Sequence, residues 1–158
     1  MVFLIQFGFG AYYNESTQAM VYPYGLMSSW NACTVGSYYD TYSANDDWAI
    51  IDLSTTPGST LGYFGLTNNI SNNNSVRTYG YPMEYTQDLA YSDGTISSLQ
   101  TYMFNHNCDT THGSSGGPIC YNLSVCGIHH GGSDVSNINY ACRISTYIIG
   151  WINERING

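Results

Sequence analysis

Short runs of β-branched and aromatic residues alternate along the chain with clusters of Gly, Asn, Ser and Pro. Val2–Phe7, Ala19–Tyr22, Trp48–Leu53, Val76–Tyr81, Leu99–Phe104, Ile119–Tyr121, Val125–His129 and Tyr140–Ile144 read as strands, because each is rich in residues that fit a half-buried pleated surface. Between them, Ser54–Thr60 carries Pro57-Gly58 and reads as a turn or a link between lobes, and Asn68–Ser75 as a polar loop. The spacing suits antiparallel sheets that close into barrels. Only the C-terminus has a helical period. Ser145 or Thr146 can cap it, Ile148, Ile149, Ile152 and Ile156 fall on one stripe with Trp151 nearby, and Gly158 ends it. The pattern predicts an all-β body with one terminal helix packed on it.

Composition narrows the function classes. The 158 residues include only 3 Lys plus Arg against 11 Asp plus Glu, a net charge of -8. Such a chain cannot track a phosphate backbone, so nucleic acid is not expected as a partner. Anionic lipid is excluded on the same ground. No apolar run approaches the ~18 residues that span a bilayer, so no membrane partner is expected. Asn-x-Ser triplets begin at Asn14, Asn69, Asn73 and Asn122, and there are five cysteines. Together with the low Lys content they point to a secreted glycoprotein whose cysteines are mostly oxidised. Cys120 and Cys126 flank a short turn and could face each other across a hairpin, while the odd count leaves one thiol over. Met1–Gly8 is apolar, but has neither a basic start nor a small-x-small cleavage site, so it reads as a strand rather than a signal peptide.

The sharpest chemical signal is Gly113-Ser114-Ser115-Gly116-Gly117-Pro118. A serine nucleophile needs its hydroxyl presented on a tight turn, with backbone N–H groups aimed at the oxyanion that forms on attack. Glycines on both sides permit such a turn, and Pro118 stiffens the strand that follows. Upstream, Asp47 opens the apolar run Trp48-Ala49-Ile50-Ile51. Downstream, Gly127-Ile128-His129-His130-Gly131-Gly132 follows the serine turn by one hairpin, and Tyr140–Ser145 leads into the helix.

Asp, then Ser, then a Gly-Ile-x-x-Gly strand, then helix resembles the chymotrypsin-fold serine peptidases. Gly80-Tyr81-Pro82, Asp109-Thr110-x-x-Gly113-x-Ser115 and Gly127-Ile128-His129 look most like the glutamyl endopeptidase (V8-like) branch. The resemblance implies a chymotrypsin-like double β-barrel, with residues 1–60 the remainder of an incomplete first barrel, 61–144 the second barrel and 145–158 the C-terminal helix. It implies a serine endopeptidase acting on polypeptides through an acyl-enzyme on Ser115, without metal or cofactor. The N–H groups of Gly113 and Ser115 would form the oxyanion hole, and Asp47, rather than Asp46, would orient the catalytic histidine. His129 and Thr110 match the positions that bind a substrate carboxylate, which implies cleavage after acidic residues. Asp109, six residues before Ser115, stands where trypsin-like enzymes bind Lys or Arg, so a basic preference stays open. Ser114 stands where trypsin-like zymogens keep an Asp, so any zymogen should be activated differently.

The resemblance also calls for a histidine ahead of the aspartate, in a Thr-Ala-Ala-His-Cys-like segment, and none precedes Asp47. The four histidines are His106, His112, His129 and His130. His112 falls in a stretch that the family uses as a pocket wall, His106 is expected near a strand end, and no base is assigned. A metal site built from His129, His130 and cysteines is rejected, because neighbours on a strand point to opposite faces and the Cys spacing fits no zinc signature. Two expectations follow: a fragment of a longer secreted protease, or a pseudoprotease that binds peptides or proteins. Losing a triad histidine costs about 10⁶ in turnover, so the chain as written is expected to be inactive. It is also expected to expose unpaired strand edges.

Overall fold

The computed structural model of the chain describes residues 5–28, 30–37, 42–84, 88–133 and 136–157. Eleven strands are present among them: β1 Tyr12–Asn14, β2 Ala19–Val21, β3 Trp30–Val35, β4 Ala49–Leu53, β5 Gly65–Leu66, β6 Ser75–Gly80, β7 Ala90–Ser97, β8 Met103–His106, β9 Pro118–Tyr121, β10 Ser124–Ser133 and β11 Ser136–Arg143. Six of these close on themselves in the order β6-β7-β8-β11-β10-β9, and β5 adds to β10 as a parallel edge. Among the described residues, the first part of the chain contributes two two-stranded sheets, β1-β2 and β3-β4. The C-terminal helix spans Thr146–Asn157. The molecule is thus the expected mostly-β, chymotrypsin-like body with one terminal helix.

The barrel interior is a cluster of Ile70, Val76, Ile96, Phe104, Cys108, Ile119, Cys126 and Ala141. Packing there is tight: a Cβ on Gly127 would stand 2.6 Å from the Phe104 ring, so β10 needs a glycine opposite that aromatic. A second cluster joins Trp48, Cys142, Ile144 and Ile148, with Ile50, Ile128, Trp151 and Ile152 against it. This cluster determines the site, because it clamps the start of β4 and the helix onto the outer face of β10 and β11. Arg155 on the helix adds a hydrogen bond to Thr34 at 2.6 Å and an ion pair with Asp52 at 3.5 Å. The Ile148 N–H donates to Ser145 Oγ at 3.3 Å, so Ser145 is the cap.

Several sequence readings shift. Residues 1–4 of the Val2–Phe7 strand lie outside the described residues, and Phe7 makes an isolated bridge to Met27. Gly158, read as the helix end, lies outside them too. The strand expected at Leu99–Phe104 begins at Met103, because the Leu99 N–H is drawn to Asn72 Oδ1 at 2.9 Å and Leu99 becomes a loop residue packed on the core. The link Ser54–Thr60 contains the start of a helical turn, Gly58–Leu61. The polar loop Asn68–Ser75 sends Ile70 into the core. β1, β3 and β7 are not among the strands read from the sequence; β7 (AYSDGTIS) alternates in burial, but its inward positions are Ala90, Ser92, Gly94 and Ile96, of which only Ile96 is a large apolar residue and fully buried.

The cysteines depart from expectation as well. All five are free thiols. Cys120 stands opposite Val125 in the β9–β10 register, and the ladder shifts before Gly127, so Cys126 turns its Sγ to the Ile119 carbonyl at 3.3 Å instead of to Cys120. Burial pushes the thiols up, to about 11 for Cys108 and about 12 for Cys126 and Cys142. They are neutral core groups, not nucleophiles.

Candidate active site

The serine turn is strapped to β10 at three points. The Gly116 N–H donates to the His129 carbonyl at 2.8 Å, and the His129 N–H to the Gly117 carbonyl at 2.8 Å. The Ser115 hydroxyl donates to the His130 carbonyl at 3.2 Å. Ser114 is buried; its N–H donates to the Thr111 carbonyl at 3.1 Å and its Oγ accepts from the Thr111 N–H at 3.4 Å, so it braces the turn from inside. Ser115, its neighbour, is exposed. The alternation within one turn therefore leaves only one of the two serines facing solvent.

Gly113 holds φ at +93°, and a Cβ there would lie 2.7 Å from the Tyr81 carbonyl oxygen. Only glycine fits that backbone. Among the described residues, neither the Gly113 nor the Ser115 N–H donates a hydrogen bond, so both expected oxyanion donors are available.

Asp47 follows a short 3-10 turn, Ala44–Asp46, and precedes β4. Its Oδ2 lies 2.6 Å from Nδ1 of His130. The β10–β11 register shifts between His129 and Gly131, a bulge that re-aims the intervening residue. His129 turns inward and is buried, while His130 reaches Asp47. Opposite faces were expected for these neighbours, but the His130–Asp47 contact was not: the sequence reading assigned no base and placed no histidine on Asp47.

Two clefts meet at Ser115. One, of about 600 Å³, is lined by Asp46, Asp47, Trp48, Gly116 and Ile128. The other, of about 650 Å³, is lined by Asp109, Thr110, His112, His129, Gly131 and Glu84 among others. Thr110 and His129 thus share a wall with Ser115. Asp109 is exposed on that wall rather than buried at a floor; its N–H donates to Ser92 Oγ at 2.8 Å. Behind His129, the Nδ1 atom faces Nε2 of His106 at 3.2 Å, with both rings buried. Burial, then the neighbouring ring, holds His106 down at about 4; burial, then His130, lowers His129. Both rings are therefore neutral at neutral pH. His106 closes β8, as expected of a strand end, but its pairing with His129 was not foreseen. Among the described residues no group of three or more His, Cys, Asp or Glu is arranged to hold a metal ion.

The family profile described as trypsin-like peptidase domain matches residues 29–128, which take in Asp47 and the whole serine turn. The chain belongs to the trypsin-like peptidase family. It is 33% identical over 101 residues to the glutamyl endopeptidase of Bacillus licheniformis, covering 62% of this chain and 32% of that protein. It is 29% identical over 146 residues to a protein of Bacillus subtilis (strain 168) named extracellular metalloprotease, covering 84% of this chain and 46% of the relative. The trypsin-like chain therefore spans less than half the length of either curated relative. Among solved structures, a Glu endopeptidase in complex with MPD superposes with a TM-score of 0.72 at 22% identity, over 90% of this chain and 76% of that one. That similarity shows the shared fold. The described part of this trypsin-like domain contains no helix long and apolar enough to cross a membrane.

Proposed function

We propose that this domain is a secreted serine endopeptidase that cleaves polypeptides after acidic residues, with Ser115 as nucleophile. The N–H groups of Gly113 and Ser115 hold the oxyanion, Asp47 orients the base, and Thr110 with His129 receives the substrate side chain. No metal or cofactor takes part in this reading.

The observation that carries it is the buried His106–His129 pair beside Ser115. If His106 donates its Nε2 proton to His129 Nδ1, then His129 carries its own proton on Nε2 and donates into the cleft. A carboxylate accepts that bond, whereas an ammonium or guanidinium group has no acceptor to offer it. Glu84 and Asp109 on the same wall are exposed, so solvent screens them from a bound carboxylate.

Binding tests this reading without needing turnover. Ser115→Ala protein is titrated calorimetrically with two product peptides that differ only in a final Glu or Arg. The reading expects the Glu peptide to bind at least ~10-fold tighter, the scale of a charge-assisted hydrogen bond. Tighter binding of the Arg peptide would assign the pocket to Asp109 and basic side chains instead.

A further inference from the structure

We propose that Asn139 is a positioning residue for the cleft that receives the substrate side chain: it fixes the wall carrying Thr110 at a set distance from His129. The proposal rests on the reading of that cleft as a carboxylate site and adds a residue to it.

Asn139 sits on β11 between two strands, opposite His106 of β8 and Gly132 of β10. Residues opposed in a ladder share a face, and so do alternate residues along a strand. Asn139 therefore shares the inward face with His106, and with Ala141, which stands opposite His129. It lines the 650 Å³ cleft together with Ser115, Thr110 and His129. Its amide nitrogen donates to the Cys108 carbonyl at 2.7 Å, across 31 residues of chain. A carbonyl oxygen can only accept, so this contact decides which way the amide points and puts Oδ1 over Gly132. A Cβ built on Gly132 would overlap that Oδ1, while beyond the adjacent residues the next atom outside this side chain, the Ile138 carbonyl oxygen, stands at 3.5 Å. Gly132 is not in the left-handed region. What bars a side chain there is the Asn139 amide, not the backbone.

The bond grips one end of a peptide group whose other end is also held. The Cys108 carbonyl and the Asp109 N–H belong to the same planar unit. The N–H donates to Ser92 Oγ on β7 at 2.8 Å, and the carbonyl accepts from Asn139 on β11. Held at both ends, the plane resists rotation. It delivers Asp109 to the surface and the next residue, Thr110, half-buried, to the cleft. Asn139 thus ties the Thr110 wall to the sheet that carries His129. A carboxylate that bridges the Thr110 hydroxyl and His129 Nε2 needs both donors at one spacing, and a spacing set before binding costs no ordering when the ligand arrives. A Lys or Arg side chain does not bridge these two donors, so it is insensitive to that spacing.

The test is a double-mutant cycle read by calorimetry on the full 158-residue chain carrying Ser115→Ala. Asn139→Ala, Gly132→Ala and the pair are titrated with the product peptides ending in Glu or Arg, and each protein is melted to check folding. Asn139→Ala should weaken the Glu peptide about 5- to 10-fold, the scale of one hydrogen bond, and leave the Arg peptide within about 2-fold. Gly132→Ala should weaken the Glu peptide by a similar factor, because its methyl displaces the amide from Cys108. The double variant should be no weaker than either single one, since removing the amide makes room for the methyl. Where Asn139→Ala fails to melt cooperatively, Gly132→Ala decides alone by the same criterion. Equal losses for both peptides would mean a general loosening of the fold and overturn the positioning role. Unchanged Glu binding in Asn139→Ala, or losses that multiply in the double variant, would overturn it too, while a Glu preference in the parent keeps the carboxylate reading standing. A parent without that preference would overturn the carboxylate reading and this proposal together.

Discussion

Asp47 and His130 lie 83 residues apart in the chain, yet their side chains meet at 2.6 Å beside the only exposed serine of the Gly113–Pro118 turn. The contact exists because Trp48 anchors the start of β4 in the cluster with Ile144 and Ile148, while a bulge turns His130 outward from β10. Packing brings the acid, and an irregularity in the ladder brings the histidine.

Replacing that acid should separate catalysis from stability. Both side chains are partly exposed, so the pair is worth at most about 1 kcal/mol of folding free energy. Asp47→Asn should melt within a few degrees of the parent. Its turnover should nevertheless drop about 10⁴-fold, because an amide can no longer hold the base in the right tautomer. Steady-state kinetics alongside a melting curve checks both halves, and equal turnover would remove Asp47 from the mechanism.

Gly113 joins backbone conformation to oxyanion binding. Gly113→Ala adds a Cβ at φ +93° against the Tyr81 carbonyl. The turn must shift, at a cost of about 1–3 kcal/mol. Displacing one oxyanion donor should lower kcat about 10²–10³-fold with little change in KM. A matching loss in KM alone would mean that the turn binds ground-state substrate instead.

The buried histidine pair makes the fold acid-sensitive. His106 is held at about 4, against its ordinary value of 6.5. Below 6.5 the unfolded chain takes up a proton that the folded chain refuses until about 4. Stability is therefore complete above 6.5 and declines as pH falls toward 4, by up to about 3 kcal/mol, with His129 acting in the same direction. Urea midpoints at pH 7.5 and pH 4.5 should differ accordingly. His106→Gln, which keeps a donor for His129, should lose most of that difference; an unchanged difference would place the acid sensitivity elsewhere.

The same pair governs selectivity. His129→Leu removes the donor facing the cleft and should bring the affinity ratio of the Glu and Arg product peptides close to one. Asp109→Asn, on the exposed wall, should move that ratio less than ~3-fold, in line with a screened surface charge. A larger effect from Asp109 than from His129 would reverse their roles.

How much of this was legible in the sequence depends on how local each feature is. The serine turn could be read because six adjacent residues carry its whole chemistry. Asp47 could be singled out because an apolar strand follows it directly, and Thr110 and His129 because they flank the serine turn at family spacing; the roles given to them belong to the proposed function. His130 could not be placed, since its direction depends on one register shift against β11. Nor could the His106–His129 contact, which needs β8 and β10 to flank β11 in a closed barrel. β7 escaped because its outward face uses Tyr91 and Asp93 against Arg77, an ion pair at 2.7 Å on β6, rather than an apolar alternation. The cysteine pairing failed for the same reason as His130: a bulge, this time between Val125 and Gly127, moved the partner.

The central claim is that Ser115, and not its buried neighbour Ser114, is a nucleophile. The most direct measurement is to react the folded chain with a fluorophosphonate, digest it and locate the adduct by mass spectrometry. A single adduct on Ser115, absent from Ser115→Ala, is the predicted result. An adduct on another residue, or none even with imidazole present, would contradict it.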